Sequence, residues 1–279
     1  MIFETGSTVS LTLALYLVLA PRLNKILWRP MLFHPVLGGD EWSDVPEIAG
    51  VKGKDVYFQT HDSCKLNGWY YKLPGAKYTI LFSHGNAGNL YTRLPSIQAL
   101  LNAGASVFVY DYRGFGKSEG HKPDIRGICD DGCAAHDYLV EKEAVDPDTI
   151  VLYGESLGVG VTTQVSTMRH ARGMILQSGF ASLPRISREH MPVLWMYPRL
   201  LFPDPPLDSL AILKRPHPPL LLVHGVLDTV VPIAHADDLF RHAAEPKQYI
   251  RLTTCGHGDI ATTNPEEYSS ALRQFLGSL

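Results

Sequence analysis

The sequence predicts an α/β protein with a mostly parallel sheet and helices on both faces. Nearly continuous apolar runs, such as YTILFS at 78–83 and SVFVY at 106–110, are typical of strands that are covered on both faces. Helically spaced apolar residues occupy the segments between these runs, as at 90–103. Strands that alternate with helices along a chain assemble into parallel sheets flanked by helices.

The predicted elements follow one another in a regular order. Segments 55–60 and 66–72 alternate apolar and polar residues, which predicts two half-buried antiparallel strands at one edge of the sheet. Further buried strands are predicted at 78–83, 106–110, 149–153, 174–177 and 220–223, with a more polar strand at 248–252. Helices are predicted at 90–103, 125–143, 157–169, 233–242 and 265–276.

Composition and charge narrow the classes of function. The chain has 279 residues, of which 45 % are apolar and 19 % charged, as is ordinary for a globular domain. A formal net charge of −3 leaves no basic excess to neutralise a phosphate backbone, so we expect no nucleic-acid partner. The cysteines (Cys64, Cys129, Cys133 and Cys255) include no C-x-x-C pair and have no companion ligands at metal spacing. We therefore expect neither a metal nor a cofactor.

The first thirty residues differ from the rest of the chain. Segment 9–20 is uncharged and mostly apolar, but it is shorter than a bilayer span, which takes about 20 residues. Arg22, Lys25 and Arg29 follow it and no basic residue precedes it, which favours a cytoplasmic position for the chain that follows. We expect residues 1–30 to be a membrane anchor or interfacial helix; a helix packed on the domain and a cleaved signal are the alternatives.

The remaining chain divides at a segment rich in turn-forming residues. Residues 31–54 contain many Pro, Gly and Asp residues and are predicted to be a linker. The strand and helix patterns then run without interruption from residue 55 to residue 279, which predicts a single α/β domain over that range.

A candidate nucleophile lies between a predicted strand and a predicted helix. Residues 154–158 read GESLG, which matches the pattern G-x-S-x-G. The two glycines allow a sharp turn that presents the serine oxygen to a cleft at a helix N-terminus. Ser156 is therefore the predicted nucleophile, and a structural serine at a tight turn is the alternative.

A serine hydroxyl needs a neighbouring base, and the base needs a carboxylate to orient it. His257 lies between two glycines in the loop after the last predicted strand, so it is the predicted base. Asp228 follows the strand at 220–223 and is the predicted acid, since Ser, Asp and His then occur in the chain order that accompanies this motif. Asp259 is more suited to organising its own turn.

Two further loops end predicted strands. The loop after 78–83 reads HGNAGN, and we predict that the backbone amides of Asn86 and Leu157 form an oxyanion hole. His84 is expected to brace this loop. The loop at 110–118 lacks the first glycine of a phosphate-binding loop, so a structural loop with an internal pair between Asp111 and Arg113 is predicted.

Taken together, these motifs resemble those of the α/β-hydrolase superfamily. HGNAGN, DYRGFGKSEG, GESLG, HG-x-x-D-x-x-VP and GH occur in that order between residue 55 and the C-terminus. The similarity is greatest to the branch that includes serine-aminopeptidase-like hydrolases and membrane-associated acyl-protein thioesterases. The resemblance implies the α/β-hydrolase fold, Ser156 as nucleophile, Asp228 as acid, His257 as base and oxyanion amides at Asn86 and Leu157.

Residues 179–219 occupy the place where this family has its cap. The segment is long enough only for a small lid, and we predict that it covers an acyl pocket, with Trp195 and Met196 in contact with substrate. Packing of the cap on its own domain is the alternative. Val159 and Cys255 depart from many relatives, which have smaller residues there, but neither change removes a catalytic group.

The sequence thus predicts a serine hydrolase that cleaves carboxylic esters or thioesters of a small or lipid-like acyl substrate. A depalmitoylase-like acyl-protein thioesterase and an inactive binding module on the same fold are the alternatives. Membrane association through residues 1–30, with a cytoplasmic catalytic domain, would suit acyl substrates. Peptide hydrolysis is disfavoured, because the sequence shows no acidic site for an amino terminus.

Overall fold

An eight-stranded sheet forms the centre of the protein. The computed structural model describes residues 2–38, 44–120 and 122–279. The strands are β1 (His34–Pro35), β2 (Lys54–Gln59), β3 (Lys65–Tyr71), β4 (Thr79–Ser83), β5 (Ala87–Gly88), β6 (Ser106–Tyr110), β7 (Ile150–Glu155), β8 (Gly173–Gln177), β9 (Leu220–Gly225) and β10 (Lys247–Leu252). The spatial order of the large sheet is β10-β9-β8-β7-β4-β6-β3-β2, while β1 and β5 pair separately. Within the large sheet β2–β3 and β3–β6 are antiparallel, and the other neighbours run parallel.

Helices cover both faces of this sheet. They are α1 (Ile2–Val18), α2 (Lys25–Leu32), α3 (Leu94–Asn102), α4 (Ile125–Glu141), α5 (Leu157–Ser166), α6 (Leu183–His190), α7 (Ser209–Leu213), α8 (Ala234–His242), α9 (Ile260–Thr263) and α10 (Pro265–Ser278). Residues of α4, α5 and α8 join one buried apolar cluster, and residues of α3 and α10 join the other. The predicted α/β class, with helices on both faces of a mostly parallel sheet, is confirmed.

The central strands alternate their side chains between the two cores. In β6, Val107 and Val109 face one apolar cluster while Phe108 and Tyr110 face the other, and all four are fully buried. Successive side chains of a strand point to opposite faces of the sheet, so a strand that is buried on both faces must be apolar throughout. This is why SVFVY has no polar alternation.

Local sequence sets where the helices begin. The helix predicted from residue 90 starts four residues later as α3, because Leu90–Arg93 form a 3₁₀ turn that Asn89 caps. Pro95 lies in the first turn of α3, where its missing amide costs no helical hydrogen bond. Helix α4 starts at Ile125, after Asp124 accepts a 2.9 Å hydrogen bond from the amide of Gly127.

The N-terminal segment leads from a protruding helix onto the domain. In α1, most side chains from Ser10 onward are exposed, but the Tyr16 ring stacks on Tyr197 with ring centroids 4.7 Å apart. The Tyr16 hydroxyl also donates a 2.8 Å hydrogen bond to the carbonyl of Met196. Within the described residues, no helix combines the length and apolarity needed to cross a bilayer.

The predicted linker at 31–54 is only partly described, since residues 39–43 lie outside the described residues. Its described part contains β1 and two isolated bridges, Leu37 with Gly116 and Ile48 with Val51. The first of these bridges and the β1–β5 pairing join this segment to loops at the carboxyl ends of β4 and β6.

The predicted cap at 179–219 contains α6, two 3₁₀ turns (Pro192–Met196 and Arg199–Leu201) and α7. Leu194, Tyr197 and Phe202 of this segment form a small buried cluster with Ala20, which lies between α1 and α2. The cap and the N-terminal segment therefore pack against each other.

Helix α5 crosses β4 at Gly158 with no room for a side chain. A Cβ added there would overlap the carbonyl oxygen of Ser83. The strand oxygen is held in the sheet, so it cannot move aside cheaply.

Replacing this glycine should therefore destabilise the protein. We expect Gly158→Ala to lower the free energy of unfolding by about 1–3 kcal/mol or more, because overpacked backbone contacts relax poorly. Urea unfolding followed by circular dichroism measures the change. Gly277→Ala on α10 is the matched control, since nothing lies within 4 Å of a Cβ added there. Equal stability of Gly158→Ala and the unchanged protein would contradict the close crossing.

Candidate active site

Ser156 occupies a sharp turn between β7 and α5. Its backbone has φ +55° and ψ −114°, a region that residues with a side chain rarely adopt. The amide of Ser156 donates a 2.9 Å hydrogen bond to the carbonyl of Gln177 on β8, and the amide of Val159 donates to the carbonyl of Ser156 at 3.0 Å. The surrounding sheet and helix thus hold the strained residue in place.

The structure brings Ser156, His257 and Asp228 together at the carboxyl edge of the sheet. The Nε2 atom of His257 lies 2.9 Å from the Oγ of Ser156, and its Nδ1 atom lies 2.7 Å from Oδ2 of Asp228. An ionised carboxylate can only accept, so Nδ1–H donates to Asp228 and Nε2 is free to accept the serine proton. This arrangement can draw the proton from the hydroxyl.

Asp228 sits in a pocket of hydrogen-bond donors. Its Oδ1 accepts from the amides of Val230 and Val231 at 2.9 and 2.8 Å, and its Oδ2 lies 3.3 Å from Nε2 of the buried His224. Burial alone would raise the pKa of Asp228, but hydrogen bonds from His224, His257 and Val231 outweigh it. The pKa of Asp228 therefore lies well below its ordinary value, and the carboxylate stays ionised.

Sequence reasoning missed the contribution of His224. This histidine is fully buried at the end of β9, and its Nε2 also lies 2.8 Å from the carbonyl of Val231. It directly follows the predicted strand at 220–223, but nothing in the local pattern distinguishes it from a packing residue.

The two predicted oxyanion residues both line a pocket at Ser156. Leu157 is the first residue of α5, and the first amides of a helix have no partner within the helix. Asn86 lies in the loop between β4 and β5. Its side-chain Nδ2 donates a 2.8 Å hydrogen bond to the backbone carbonyl of Leu32. The backbone carbonyl of Asn86 accepts a 2.8 Å hydrogen bond from the amide of His34.

A buried ion pair ties the nucleophile turn to the Asn86 loop. Arg93 forms a salt bridge with Glu155, the residue before Ser156, and also donates to the carbonyl of Ala87. Glu155 is the x of G-x-S-x-G, so the motif alone gave no reason to single it out.

His84 lies beneath the same loop. It is fully buried, its Nδ1 lies 2.7 Å from the carbonyl of Gly85, and its Nε2 lies 3.5 Å from Oδ1 of Asp111. The predicted internal pair between Asp111 and Arg113 is wrong. Arg113 instead donates from Nε to Asp131 at 2.9 Å and from Nη1 to Asp62 at 2.8 Å, because Asp111 is enclosed beside His84.

The pocket beside Ser156 has a volume of about 360 Å³ and two apolar walls. One wall comes from the cap and the adjoining loops, including Phe180, Leu183, Ile186, Met191, Leu194 and Phe202. The other comes from the N-terminal segment, namely Pro21, Trp28, Met31 and Leu32. Trp195 and Met196, the predicted substrate contacts, do not line this pocket; their side chains are 68 % and 55 % exposed on the surface of the cap.

Comparisons with known proteins agree with the predicted fold. A family model described as serine aminopeptidase, S33, matches residues 74–205. The uncharacterized protein Rv2307c of Mycobacterium tuberculosis is 32 % identical over 270 residues, which cover 94 % of this chain and 93 % of that protein. The α/β-hydrolase domain-containing protein WAV2 of Arabidopsis thaliana is 29 % identical over 269 residues, which cover 88 % and 86 % of the two chains.

A solved structure extends the likeness to three dimensions. An esterase of Pyrococcus furiosus, Pf2001, superposes with a TM-score of 0.73 at 22 % identity, covering 88 % of this chain and 98 % of that one. At this identity the likeness concerns the fold. With the relatives above, it shows that the chain belongs to the α/β-hydrolase superfamily.

The reactivity of Ser156 should depend on one ionisation in acid. Because the pKa of Asp228 is held well below its ordinary value, this carboxylate keeps its charge in mild acid and does not contribute to the pH dependence there. We expect the rate constant for modification of Ser156 by a fluorophosphonate to fall about tenfold per pH unit on the acid limb.

Fluorophosphonate labelling that is quenched at set times, at a series of pH values down to about pH 5, measures this slope. Ser156→Ala is the control and should show no labelling at any pH. A limb that falls a hundredfold per unit would mean that two groups titrate together, which would contradict the ionised state of Asp228.

Proposed function

We propose that this protein is a serine hydrolase that cleaves carboxylic esters or thioesters through an acyl-enzyme on Ser156. The observation that carries the proposal is the unbroken hydrogen-bonded chain from Asp228 through His257 to Ser156, which ends beside an apolar pocket. Packing alone does not require a carboxylate, an imidazole and a serine hydroxyl to be hydrogen-bonded to one another in this order.

Acylation begins when Nε2 of His257 takes the hydroxyl proton of Ser156 as Oγ bonds to the substrate carbonyl carbon. The negative charge that develops on the carbonyl oxygen is stabilised by the amides of Leu157 and Asn86. The tetrahedral intermediate then expels an alcohol or thiol, which receives the proton from the imidazolium. Asp228, ionised and buried, stabilises the imidazolium during both steps.

Deacylation repeats the sequence with water. His257 takes a proton from the water as its oxygen attacks the acyl carbon on Ser156. Collapse of the second tetrahedral intermediate returns the proton to Oγ and releases a carboxylic acid. One ester or thioester bond and one water are consumed for each acid and each alcohol or thiol that is formed.

The chemistry of the pocket favours an apolar acyl group over a peptide amino terminus. Among the described residues that line it, none is Asp, Glu, Lys or Arg, and its polar members are Asn86, Ser156, Ser187 and His190. An amino terminus carries a charge that is costly to bury without a partner. Aminopeptidase activity, which the description of the matching family model suggests, is therefore not what this pocket supports.

Thioester cleavage, as in a depalmitoylase-like acyl-protein thioesterase, uses the same groups with a thiol as leaving group. The hydrogen bonds that link Asp228, His257 and Ser156 argue against the alternative of an inactive binding module. The two are separated by activity, since a binding module would retain apolar ligands without turnover.

Exposed apolar side chains also favour contact with a lipid surface. Leu11, Leu15 and Leu17 on α1 and Leu200 on the cap are exposed, and Tyr16 of α1 stacks on Tyr197 of the cap, so the two elements are adjacent. Several exposed leucines on two adjacent elements favour an interaction site there. We propose that α1 and the cap lie at the surface of a cytoplasmic membrane face, where acyl substrates are held.

The hydrolase proposal predicts turnover that depends on one serine. Purified protein is expected to hydrolyse p-nitrophenyl esters and acyl thioesters but not aminoacyl p-nitroanilides. Ser156→Ala should lower kcat/KM by at least about a thousandfold, because no other group supplies the acyl acceptor. Mass spectrometry of the quenched reaction should find the acyl group on the peptide that contains Ser156.

Ser166→Ala is the matched control for that experiment. Ser166 lies at the end of α5, where its hydroxyl bonds only to the carbonyl of Thr163, so activity should be unchanged. Full activity of Ser156→Ala, or acyl transfer to a different residue, would overturn the proposal.

The membrane proposal predicts sedimentation with vesicles. Protein carrying Leu11→Glu, Leu15→Glu and Leu200→Glu should be recovered at least about fivefold less with phosphatidylcholine–phosphatidylglycerol vesicles than the unchanged protein, since burying three carboxylates in a lipid surface is unfavourable.

Tyr57→Glu and Met168→Glu together provide the control. Both residues count among the exposed large hydrophobic residues, but Tyr57 belongs to β2 and Met168 to the turn after α5, not to α1 or the cap. Equal loss of vesicle binding in the control, or full binding by the triple variant, would remove this membrane contact.

A further inference from the structure

We infer that α2 is a wall of the active site that selects an apolar acyl chain, and that this acyl subsite is formed by the N-terminal segment as well as by the cap. The inference rests on the proposed function, since it names the substrate class and the residues that choose it. It gives residues 21–32 a role in specificity, whereas the sequence predicts an anchor and a linker there.

The composition of the wall is the first support. Trp28, Met31 and Leu32 of α2 line the pocket at Ser156 together with residues of the cap such as Leu194. A volume of about 360 Å³ is near the lower end of the range for ligand pockets, about 300–1,000 Å³, which suits an acyl group of modest size.

The wall is fixed to the domain from its outer side. Lys25 and Arg29 each lie 3.1 Å from Oδ2 of Asp124, the residue that caps α4. At the start of α2, Asn24 accepts a 3.0 Å hydrogen bond from the amide of Leu27. These contacts hold the helix with its apolar side toward the pocket.

A second set of contacts fixes the inner side of the wall. Trp28 donates from Nε1 to the carbonyl of Leu19 at 3.0 Å, which orients its ring. The carbonyl of Leu32, at the end of α2, accepts from the side chain of Asn86 at 2.8 Å. Helix α2 is therefore hydrogen-bonded to the loop that carries the proposed oxyanion amide of Asn86. This bond fixes the position of the acyl subsite relative to Ser156.

Met31 marks where the pocket meets solvent. It lines the pocket and yet is 47 % exposed, which places it at the mouth. A long acyl chain that leaves the pocket on this side contacts Met31, while an acetyl group can remain near Ser156. Chain-length preference should accordingly depend on the polarity of residue 31.

The test compares Met31→Asp with Ile26→Asp. Ile26 belongs to the same helix but is 87 % exposed and does not line the pocket, so it controls for an added charge on α2. The ratio of kcat/KM for p-nitrophenyl octanoate to that for p-nitrophenyl acetate is expected to fall at least about tenfold in Met31→Asp, because a carboxylate at the mouth disfavours an apolar chain. Ile26→Asp should leave this ratio unchanged.

Binding without turnover separates this inference from the proposed function. In a Ser156→Ala background, calorimetry with the neutral ligand methyl octanoate should show binding that Met31→Asp weakens at least about tenfold and Ile26→Asp does not. Inactivity of the unchanged protein toward every ester and thioester would overturn the hydrolase proposal while this binding result still decides the subsite. Equal ratios and equal binding in all variants would overturn the subsite and leave the hydrolase proposal standing.

Discussion

The strained turn at Ser156 is the constraint on which the candidate active site depends. A backbone held at φ +55° costs of the order of 1–3 kcal/mol, and it persists because β7, β8 and α5 fix the chain on either side of it. The same turn starts α5, so Ser156 and Leu157 line the same cleft. The close crossing at Gly158 lets the helix begin immediately after the turn.

The electrostatics of the site follow from where the other strands end. In a parallel sheet the loops that follow the strands gather at one edge, and Asp228 and His257 arrive there from β9 and β10. A buried carboxylate is tolerated because it accepts from two backbone amides and two histidines, His224 among them. The same donors keep Asp228 charged, and an ionised Asp228 can orient His257 for proton transfer from Ser156.

The strands and helices of the central sheet were predicted from the sequence because burial leaves a local apolar pattern, whereas the short elements β1, β5, α2, α6, α7 and α9 were not predicted. The contacts between distant segments could not be predicted from the sequence. Arg113 has Asp111 two positions away and pairs instead with Asp131, since Asp111 is enclosed beside His84. The salt bridge between Arg93 and Glu155 has no local sequence pattern either, because it joins chain positions that are far apart.

By itself the sequence determined the main strands, the helices that cover them and the motif residues Ser156, Asp228 and His257, because each leaves a pattern among neighbouring residues of the chain. Only the tertiary structure decided what lies over the nucleophile. The predicted contact Trp195 is turned to solvent, while Met31, from a segment expected to be an anchor and a linker, lines the pocket. Apolar residues in a cap and in an N-terminal helix look alike in sequence, and only packing chooses which of them face the cleft.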